Sequence, residues 1–383
     1  MRIAMITDVY YPYVKGGVEK RISEIAERLS QSHEVHVYCM KWWDGDKDLK
    51  VNDNLVLHGV CEPVELYDSR GKRKISQAVY FSMKLVKPLF DEDYDVIDCS
   101  QFPFFPLFVA KSYCILKKKP LVATWHEVWG RKYWRDYLGY VKGHIGYFVE
   151  RAAVRMHDKY VVVSEHTRKK LLEMGVSADD MTVIPNGVDF YKIDKAGESA
   201  EKFDVLYAGR LIKHKNIDVL IEATAIVKKK FPRVSVGIIG KGSEKKRLVE
   251  LALKMGVKEK ICFLDSVDDV FSYMKVAKVF VLPSTREGFG MVVVEAHGCG
   301  LPVITVEDPS NAAKELVIDT ENGYVVKLSA EEIAGRIADI LMGEDAGMGK
   351  NGKESARKYG WDESAKRTGE VYRNVIYDGK KKD

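Results

Sequence analysis

Two glutamates mark the stretch 283–306, PSTREGFGMVVVEAHGCGLPVITV, where this sequence could do chemistry. Glu287 lies in a polar, glycine-containing loop. Glu295 lies inside the apolar helix that the pattern predicts from Met291 and that Gly298 and Gly300 end. A helix start leaves backbone N–H groups free, here at Phe289, Gly290 and Met291, and such a start favours anions. The glutamates would repel a phosphate but accept hydrogen bonds from hydroxyls. Phosphate on the amides and hydroxyls on the carboxylates is what a nucleotide sugar offers. The plainer reading is a βα turn with an acidic residue, found in any α/β protein, and this stretch alone does not decide between them.

A second candidate is cationic. In GRLIKHKN, Arg210 and Lys215 flank a loop between a strand end and a helix predicted from Ile217, with Asn216 as its cap. Two cations beside a helix N-terminus suit a diphosphate, because arginine grips phosphate oxygens bidentately and lysine adds a compact charge. A solvated basic loop is the alternative. Gly16 and Gly17 stand at another loop–helix junction, where backbone can approach a ligand and the helix start favours anions. The pattern is not G-x-G-x-x-G, so a nicotinamide site is poorly supported, and a flexible turn would serve equally. His126 follows PLVAT, at the end of a predicted strand, where open α/β sheets bind ligands. A lone histidine there is more often structural. Asp44, Asp46 and Asp48 fail as an EF-hand, since Leu49 and Leu55 occupy its sixth and twelfth positions, and no strand leads straight into them. They read as a solvated loop.

These residues need a scaffold, and the chain of 383 residues is long enough for two domains. Hydrophobic content of 46% with 31% charged residues fits a globular protein in water. The sequence has no apolar run long enough to span a bilayer, and Met1-Arg2 leads directly into a strand-like IAMIT, so neither a spanning helix nor a signal peptide is expected. The cysteines at 39, 61, 99, 114, 262 and 299 form no C-x-x-C, which suggests buried thiols in a reducing, cytoplasmic setting. A net charge of +5 is too modest to indicate nucleic acid as a partner.

Strands are expected at 2–7, 34–40, 55–60, 94–99, 120–124 and 159–164, and then at 203–208, 235–239, 261–264, 279–282 and around 324. Between them, 72–90 reads as a helix with Ile75, Val79, Met83 and Val86 on its apolar face, and 102–116 as a buried helix. Residues 192–202 read as a polar linker, and the segments from Ala330, Asp345 and Trp361 as closing helices, the last ending near Tyr377 before a disordered tail. The stretch 129–155 mixes aromatic and basic residues, and 69–87 holds six basic residues and no acidic one. Both read as helices covering the sheet, or as an acceptor pocket or a contact with an anionic membrane surface.

E-G-F-G with a second glutamate eight positions after the first resembles the signature of glycosyltransferase family 4, which has the GT-B fold. G-R-L-x-x-x-K at 209–215, T-x-H ending at His126, the glycine pair at 16–17, G-x-G at 240–242 and P-N-G-V-D at 185–189 occur in that family's order. The resemblance covers nearly the whole chain. It implies an α/β protein of two Rossmann-like domains facing across a cleft: an acceptor domain over 1–188 joined by the final helix 361–377 crossing back, and a nucleotide-sugar domain over 189–360. By position, Glu287 would contact the donor sugar and Glu295 the ribose. Arg210 and Lys215 would bind the diphosphate, and His126 the sugar hydroxyls near it. Gly16 and Gly17 would contact phosphate and sugar, Gly240 and Gly242 the nucleotide, and backbone near Ser266 and Val267 the base. Lys213, His214 and Glu127 gain no role from the resemblance.

The activity so implied is retaining transfer of a sugar from a nucleoside diphosphate donor, UDP or GDP, to a hydroxyl of a glycan or lipid-linked glycan. No metal or other cofactor is expected, since the two cations do a metal's work and no ligand cluster is visible. The first domain would allow peripheral membrane contact, placing the protein in the cytoplasm or at the membrane's inner face. A sugar-nucleotide epimerase of the same fold would equilibrate a donor with its epimer without acceptor. A non-catalytic sugar-nucleotide-binding subunit would bind donor without turnover.

Overall fold

The computed structural model describes residues 1–68, 72–344 and 347–380, so Ser69, Arg70 and Gly71 of the basic stretch, the helix start expected at Asp345 and the last three residues of the tail lie outside the described residues. The chain divides into two compact units, Met1–Asn186 with the segment from Trp361 onward, and Gly187–Gly360.

In the first unit the strands are β1 (Arg2–Ile6), β2 (Glu34–Cys39), β3 (Asp48–Asn52), β4 (Leu55–Gly59), β5 (Val96–Ser100), β6 (Leu121–Trp125), β7 (Lys159–Val162) and β8 (Met181–Val183). They form one sheet in the order β3-β4-β2-β1-β5-β6-β7-β8. Every pairing is parallel except β3 with β4. Strand order reverses at β1, and the loop that leaves β1 carries Gly16 and the helix Gly17–Leu29. The inner strands read as apolar runs because both of their faces are covered: β5 and β6 are buried at every residue.

Strand β3 was not expected from the sequence. It is polar and mostly exposed, and pairing at the sheet edge stabilises it rather than its own pattern. Asp48 Oδ2 lies 3.1 Å from His58 Nδ1, His58 Nε2 lies 2.8 Å from His36 Nδ1, and His36 Nε2 lies 2.8 Å from Glu34 Oε1. The helix in the basic stretch spans Ile75–Phe90 and is turned the other way from expectation. Its buried face is Gln77, Ala78, Phe81, Ser82, Leu85 and Leu89, whereas Met83 is 70% exposed and Ile75 and Val86 are exposed with it. Burial follows the face whose Phe81 and Leu85 reach the core shared with β1, β2 and β5. The final helix runs Trp361–Lys380, three residues past the expected end. It completes the first unit: Tyr372 donates a hydrogen bond to buried Asp98, Ser364 Oγ donates to Pro185 O at 2.9 Å, and Arg367 Nη2 to Val183 O at 2.7 Å.

The second unit has β9 (Val205–Ala208), β10 (Val236–Ile239), β11 (Ile261–Leu264), β12 (Val279–Leu282), β13 (Val303–Val306) and β14 (Gly323–Val326). All are parallel, in the order β11-β10-β9-β12-β13-β14. The reversal falls between β9 and β12, the position where open α/β sheets open a crevice at their strand ends. The expected linker begins instead as a helix, Phe190–Lys195, because Asp189 accepts the Lys192 N–H and caps it.

Buried histidines set the acid response. Burial pushes His126 and His157 down to about 3, and His214 and His297 down to about 4. A lowered histidine favours the folded state above its unfolded value of about 6.5, and that contribution is lost as pH falls toward the folded value. Asp98 acts oppositely: burial raises its carboxyl to about 6, so its contribution is present at low pH and lost as pH rises through 6. The histidines outnumber it, so the thermal midpoint falls between pH 6.5 and 4. Among the described residues both ring nitrogens of His157 lack a partner, between Trp125 and Tyr160. His157→Phe should therefore flatten this acid limb, and an unchanged pH profile of the midpoint would refute the assignment.

Candidate active site

In the second unit, the two loops at the reversal point are bound into one structure. The loop after β9 runs through Gly209, Arg210 and a single turn, Lys213–Lys215, to the helix Ile217–Lys230. The loop after β12 runs through Glu287 to the helix Met291–Gly298. Lys215 Nζ forms a direct ion pair with Glu287 Oε1, with both side chains largely hidden at 13% and 14% exposure. The Thr285 N–H donates to His214 O at 3.1 Å. Asn216 was expected to cap its helix. It makes no side-chain cap; its backbone is left-handed at φ 48°, and its Nδ2 crosses to Pro283 O at 3.0 Å and Thr285 Oγ1 at 3.2 Å. It is a stitch between the loops.

Other elements hold this structure from either side. The Glu287 N–H donates to Ser310 O at 3.1 Å and its carbonyl accepts the Ala312 N–H at 2.9 Å, so the segment after β13 fixes the backbone of Glu287. Asn311, wholly buried, secures that segment through Thr305 Oγ1, Val306 O and the Ala313 N–H. The loop after β10 lies on the loop after β9. The Leu211 N–H donates to Lys241 O at 2.8 Å, and a Cβ on Gly240 would stand 1.9 Å from Gly209 O. A Cβ on Gly242 would stand 2.1 Å from Leu211 O. Only glycine allows this approach.

Arg210 differs from Lys215. Its carbonyl is held by Tyr207 Oη at 3.0 Å, while its guanidinium is exposed and makes no hydrogen bond or ion pair among the described residues. The N–H groups of Phe289, Gly290 and Met291 also make no hydrogen bond there, and Gly290 at φ 99° packs against Ala313 to begin the helix. Helix-start amides and a guanidinium that make no hydrogen bond among the described residues are groups able to bind an anion. His214, desolvated and beside Lys215, stays neutral. Glu295 is buried in the same helix. Ser266 is exposed and Val267 half-buried in the loop after β11. No group of three or more metal-ligating side chains comes together among the described residues.

The other predicted residues stand in the first unit. His126, only 7% exposed, follows β6; its N–H donates to Gln101 Oε1 at 3.0 Å and its carbonyl accepts from Thr167. Its Nε2 is buried without a partner among the described residues. Burial, with the charge of Arg21, keeps the ring neutral. Gln101 also donates to Glu127 O, tying the loops after β5 and β6, a role that sequence reasoning missed. Gly16 precedes its helix in extended backbone, and the Glu19 carboxylate folds back to within 2.3 Å of where a Cβ would sit. That acid beside Gly16 and Gly17 was also not foreseen. In the basic stretch, Arg73 pairs with buried Asp8, Lys74 with Glu65, and Lys72 bonds Tyr137 O, so these cations serve the unit's own structure.

Residues 15–191 match the family model described as Glycosyltransferase Family 4, and residues 190–359 that described as Glycosyl transferases group 1. The chain is 26% identical over 395 residues to the phosphatidyl-myo-inositol mannosyltransferase of Mycobacterium leprae, covering 100% of this chain and 99% of that protein. Sucrose-phosphate synthase from Thermosynechococcus elongatus is similar in structure with a TM-score of 0.83 at 22% identity, over 98% of this chain and 99% of the other. Anabaena HepE in complex with UDP-glucose gives a TM-score of 0.76 at 21% identity, over 98% and 100%.

The stitch at Asn216 can be separated from its backbone strain. Asn216→Gly keeps the left-handed turn and loses the cross-loop bonds, costing about 1 kcal/mol. Asn216→Ala adds a left-handed alanine, a further ~1–2 kcal/mol. Denaturant melts should rank wild type above Asn216→Gly and Asn216→Ala lowest. Equal stability of all three would show that the loops do not depend on this residue.

Proposed function

The chain belongs to glycosyltransferase family 4 and has the GT-B fold, and we propose that it moves a sugar from a nucleoside diphosphate sugar to a hydroxyl of a glycan or lipid-linked glycan, with retention at the anomeric carbon. One observation carries this reading: where strand order reverses in the second unit, the loops bear the Lys215–Glu287 pair, and the Arg210 side chain and the helix-start amides make no hydrogen bond among the described residues. The UDP-glucose complex of HepE supports a UDP-sugar, with a GDP-sugar as the alternative donor. The mannosyltransferase relative supports an acceptor hydroxyl on a lipid-borne ring.

The residues then divide the work. Glu287 compensates the charge of Lys215. A bound diphosphate replaces Glu287 as the partner of Lys215, and the freed carboxylate accepts hydrogen bonds from the sugar. Arg210 takes phosphate oxygens bidentately, and the Gly290 and Met291 amides take a further oxygen. As the glycosidic bond breaks, negative charge grows on the leaving diphosphate, and these fixed donors stabilise it with little reorganisation. The two cations supply the charge a metal would bring, so the reaction proceeds without one. Glu295 holds the ribose, and the backbone at Gly240, Gly242, Ser266 and Val267 receives the nucleotide. In the first unit, neutral His126 offers Nε2 to a sugar hydroxyl, and Gly16 and Gly17 offer backbone that a ligand can approach closely.

Among the described residues no helix is long and apolar enough to cross a membrane. The helix Tyr140–Ala153 exposes Tyr140, Val141, Ile145 and Phe148 beside Lys142 and Arg151, and we assign it a peripheral contact with the cytoplasmic leaflet.

Calorimetry across UDP-, GDP- and ADP-sugars without added metal should find one donor that binds, with binding lost in Glu295→Ala. Turnover should fall about 10²–10³-fold in Arg210→Ala and in Lys215→Ala, the effect of losing one oxyanion donor. Near-normal turnover in both variants would show the phosphate site to be misplaced. The protein should co-sediment with anionic liposomes at low salt and be released by Phe148→Glu or high salt. Failure of the wild type to sediment removes the membrane contact.

A further inference from the structure

At the edge of the first sheet, a line of ionisable groups crosses the adjacent strands β3, β4, β2 and β1. It runs from Asp48 through His58, His36 and Glu34 to Arg2. The contacts are 3.1 Å from Asp48 Oδ2 to His58 Nδ1, 2.8 Å from His58 Nε2 to His36 Nδ1, and 2.8 Å from His36 Nε2 to Glu34 Oε1. The two rings are parallel within 4°, with centroids 5.1 Å apart. That separation is the N···N distance plus a ring radius at either end. The rings therefore meet edge to edge through their nitrogens, not face to face.

Proton count sets the charge of this line. A carboxylate only accepts, and a neutral imidazole carries a single N–H. The three contacts join two rings to each other and to a carboxylate at either end, so they need three protons, one in each. Two neutral rings supply only two. The pair therefore holds a third proton and one positive charge. Its surroundings favour that charge. Glu92 binds Arg2 at 2.9 Å, as Glu34 does, so Asp48, Glu34 and Glu92 face a single guanidinium. Tyr38 packs on His58 at 4.8 Å and Tyr94 meets His36 edge-on at 5.3 Å. Their hydroxyls bond each other at 2.7 Å, and Tyr38 Oη donates to Pro88 O at 3.1 Å, so neither is spent on the rings. Hydrogen bonds from His36 and Arg2 hold the Glu34 carboxyl below the usual range. Burial holds His58 below the ordinary histidine value, which leaves the charge on His36.

Strand β3 has little else to hold it. It is polar and mostly exposed, and its register with β4 breaks between Lys50 and Asn52. The loop 40–47 that leads into it touches the loop after β1: Trp42 Nε1 donates to Asp8 O at 3.3 Å, and the Trp43 ring stands 6.1 Å from Tyr13. With the third proton gone, the remaining two satisfy Glu34, which Arg2 holds in place, and the contact between the rings. A bare His58 Nδ1 then faces the half-exposed Asp48 carboxylate. We propose that His36 and His58 form a proton-operated clamp: with its third proton the pair ties β3 to the sheet, and without it Asp48 is released and β3 loosens together with the loop 40–47 beside Tyr13. The folded pair binds a proton that the unfolded chain lacks above about pH 6.5, so this contribution is present at lower pH and lost as pH rises through the release step. Protonation of His58 in acid opposes it, because two N–H groups would then face each other between the rings. The clamp is tightest between these limits.

Long-range 1H–15N NMR of the imidazoles in the full chain counts the protons. Three of the pair's four nitrogens should be protonated near neutral pH, and one proton should leave as pH rises to about 9. Only two protonated nitrogens at neutral pH would overturn the proposal. Asp48→Asn separates the proton from the ion pair, because an amide N–H can donate to His58 Nδ1 and complete the line with neutral rings. Hydrogen exchange of residues 48–52, corrected for the intrinsic rate, reads the clamp. Protection in the wild type should fall by up to tenfold per pH unit across the release step, the slope of one proton. In Asp48→Asn it should stay level, and in Asp48→Ala, which offers no donor, it should match the released state at every pH. Equal behaviour of the two variants, or wild-type protection that does not follow the NMR step, refutes the clamp.

Discussion

The second unit's site depends on one ion pair. Lys215 and Glu287 come from loops 72 residues apart, and both side chains are largely hidden from water. A half-buried charge left alone would be costly, so neither loop can hold its cation or its anion without the other. This constraint explains why so much surrounding structure is backbone hydrogen bonding: Asn216, Thr285, Ser310 and Ala312 fix the two loops in the one register that lets the charges meet.

The parts legible in the sequence were those set by local chemistry. Apolar runs such as β12 must be buried strands, and the glycine before Met291 must let a helix start close against Ala313. The order of the motifs around Arg210, Lys215, Glu287 and Glu295 was enough to indicate the family and its fold. What stayed hidden was decided by residues far away in the chain. Asn216 reads as a helix cap, yet its amide serves a loop 67 residues on. Gln101 is an unmarked polar residue until β5 and β6 lie side by side. The helix Ile75–Phe90 has two apolar faces, and only the position of the core selects Phe81 and Leu85 over Met83 and Val86.

The first unit repeats the theme with a different network. Arg21, on the helix that begins at Gly17, is buried and donates to Pro185 O and Asn186 Oδ1, both at 3.0 Å. Asp98 accepts from Thr124 and from Tyr372, and with Arg21 it lines a cavity of about 10 Å³, room for a single water. Strands β5 and β6, the helix after β1, the last residues before the second unit and the C-terminal helix thus meet around two buried charges.

That C-terminal helix has a consequence for how the protein is made. The second unit is one uninterrupted stretch, Gly187–Gly360, whereas the first needs Ser364, Arg367 and Tyr372 from the end of the chain. On the ribosome, residues 187–360 can close as a domain as soon as they emerge, while the half that was translated first still has an exposed flank beside the Gly17–Leu29 helix and an unanswered Asp98. Order of synthesis and order of completion are therefore reversed. A nascent chain paused after residue 360 holds a finished second unit and an open first unit, which is completed only when the helix Trp361–Lys380 emerges.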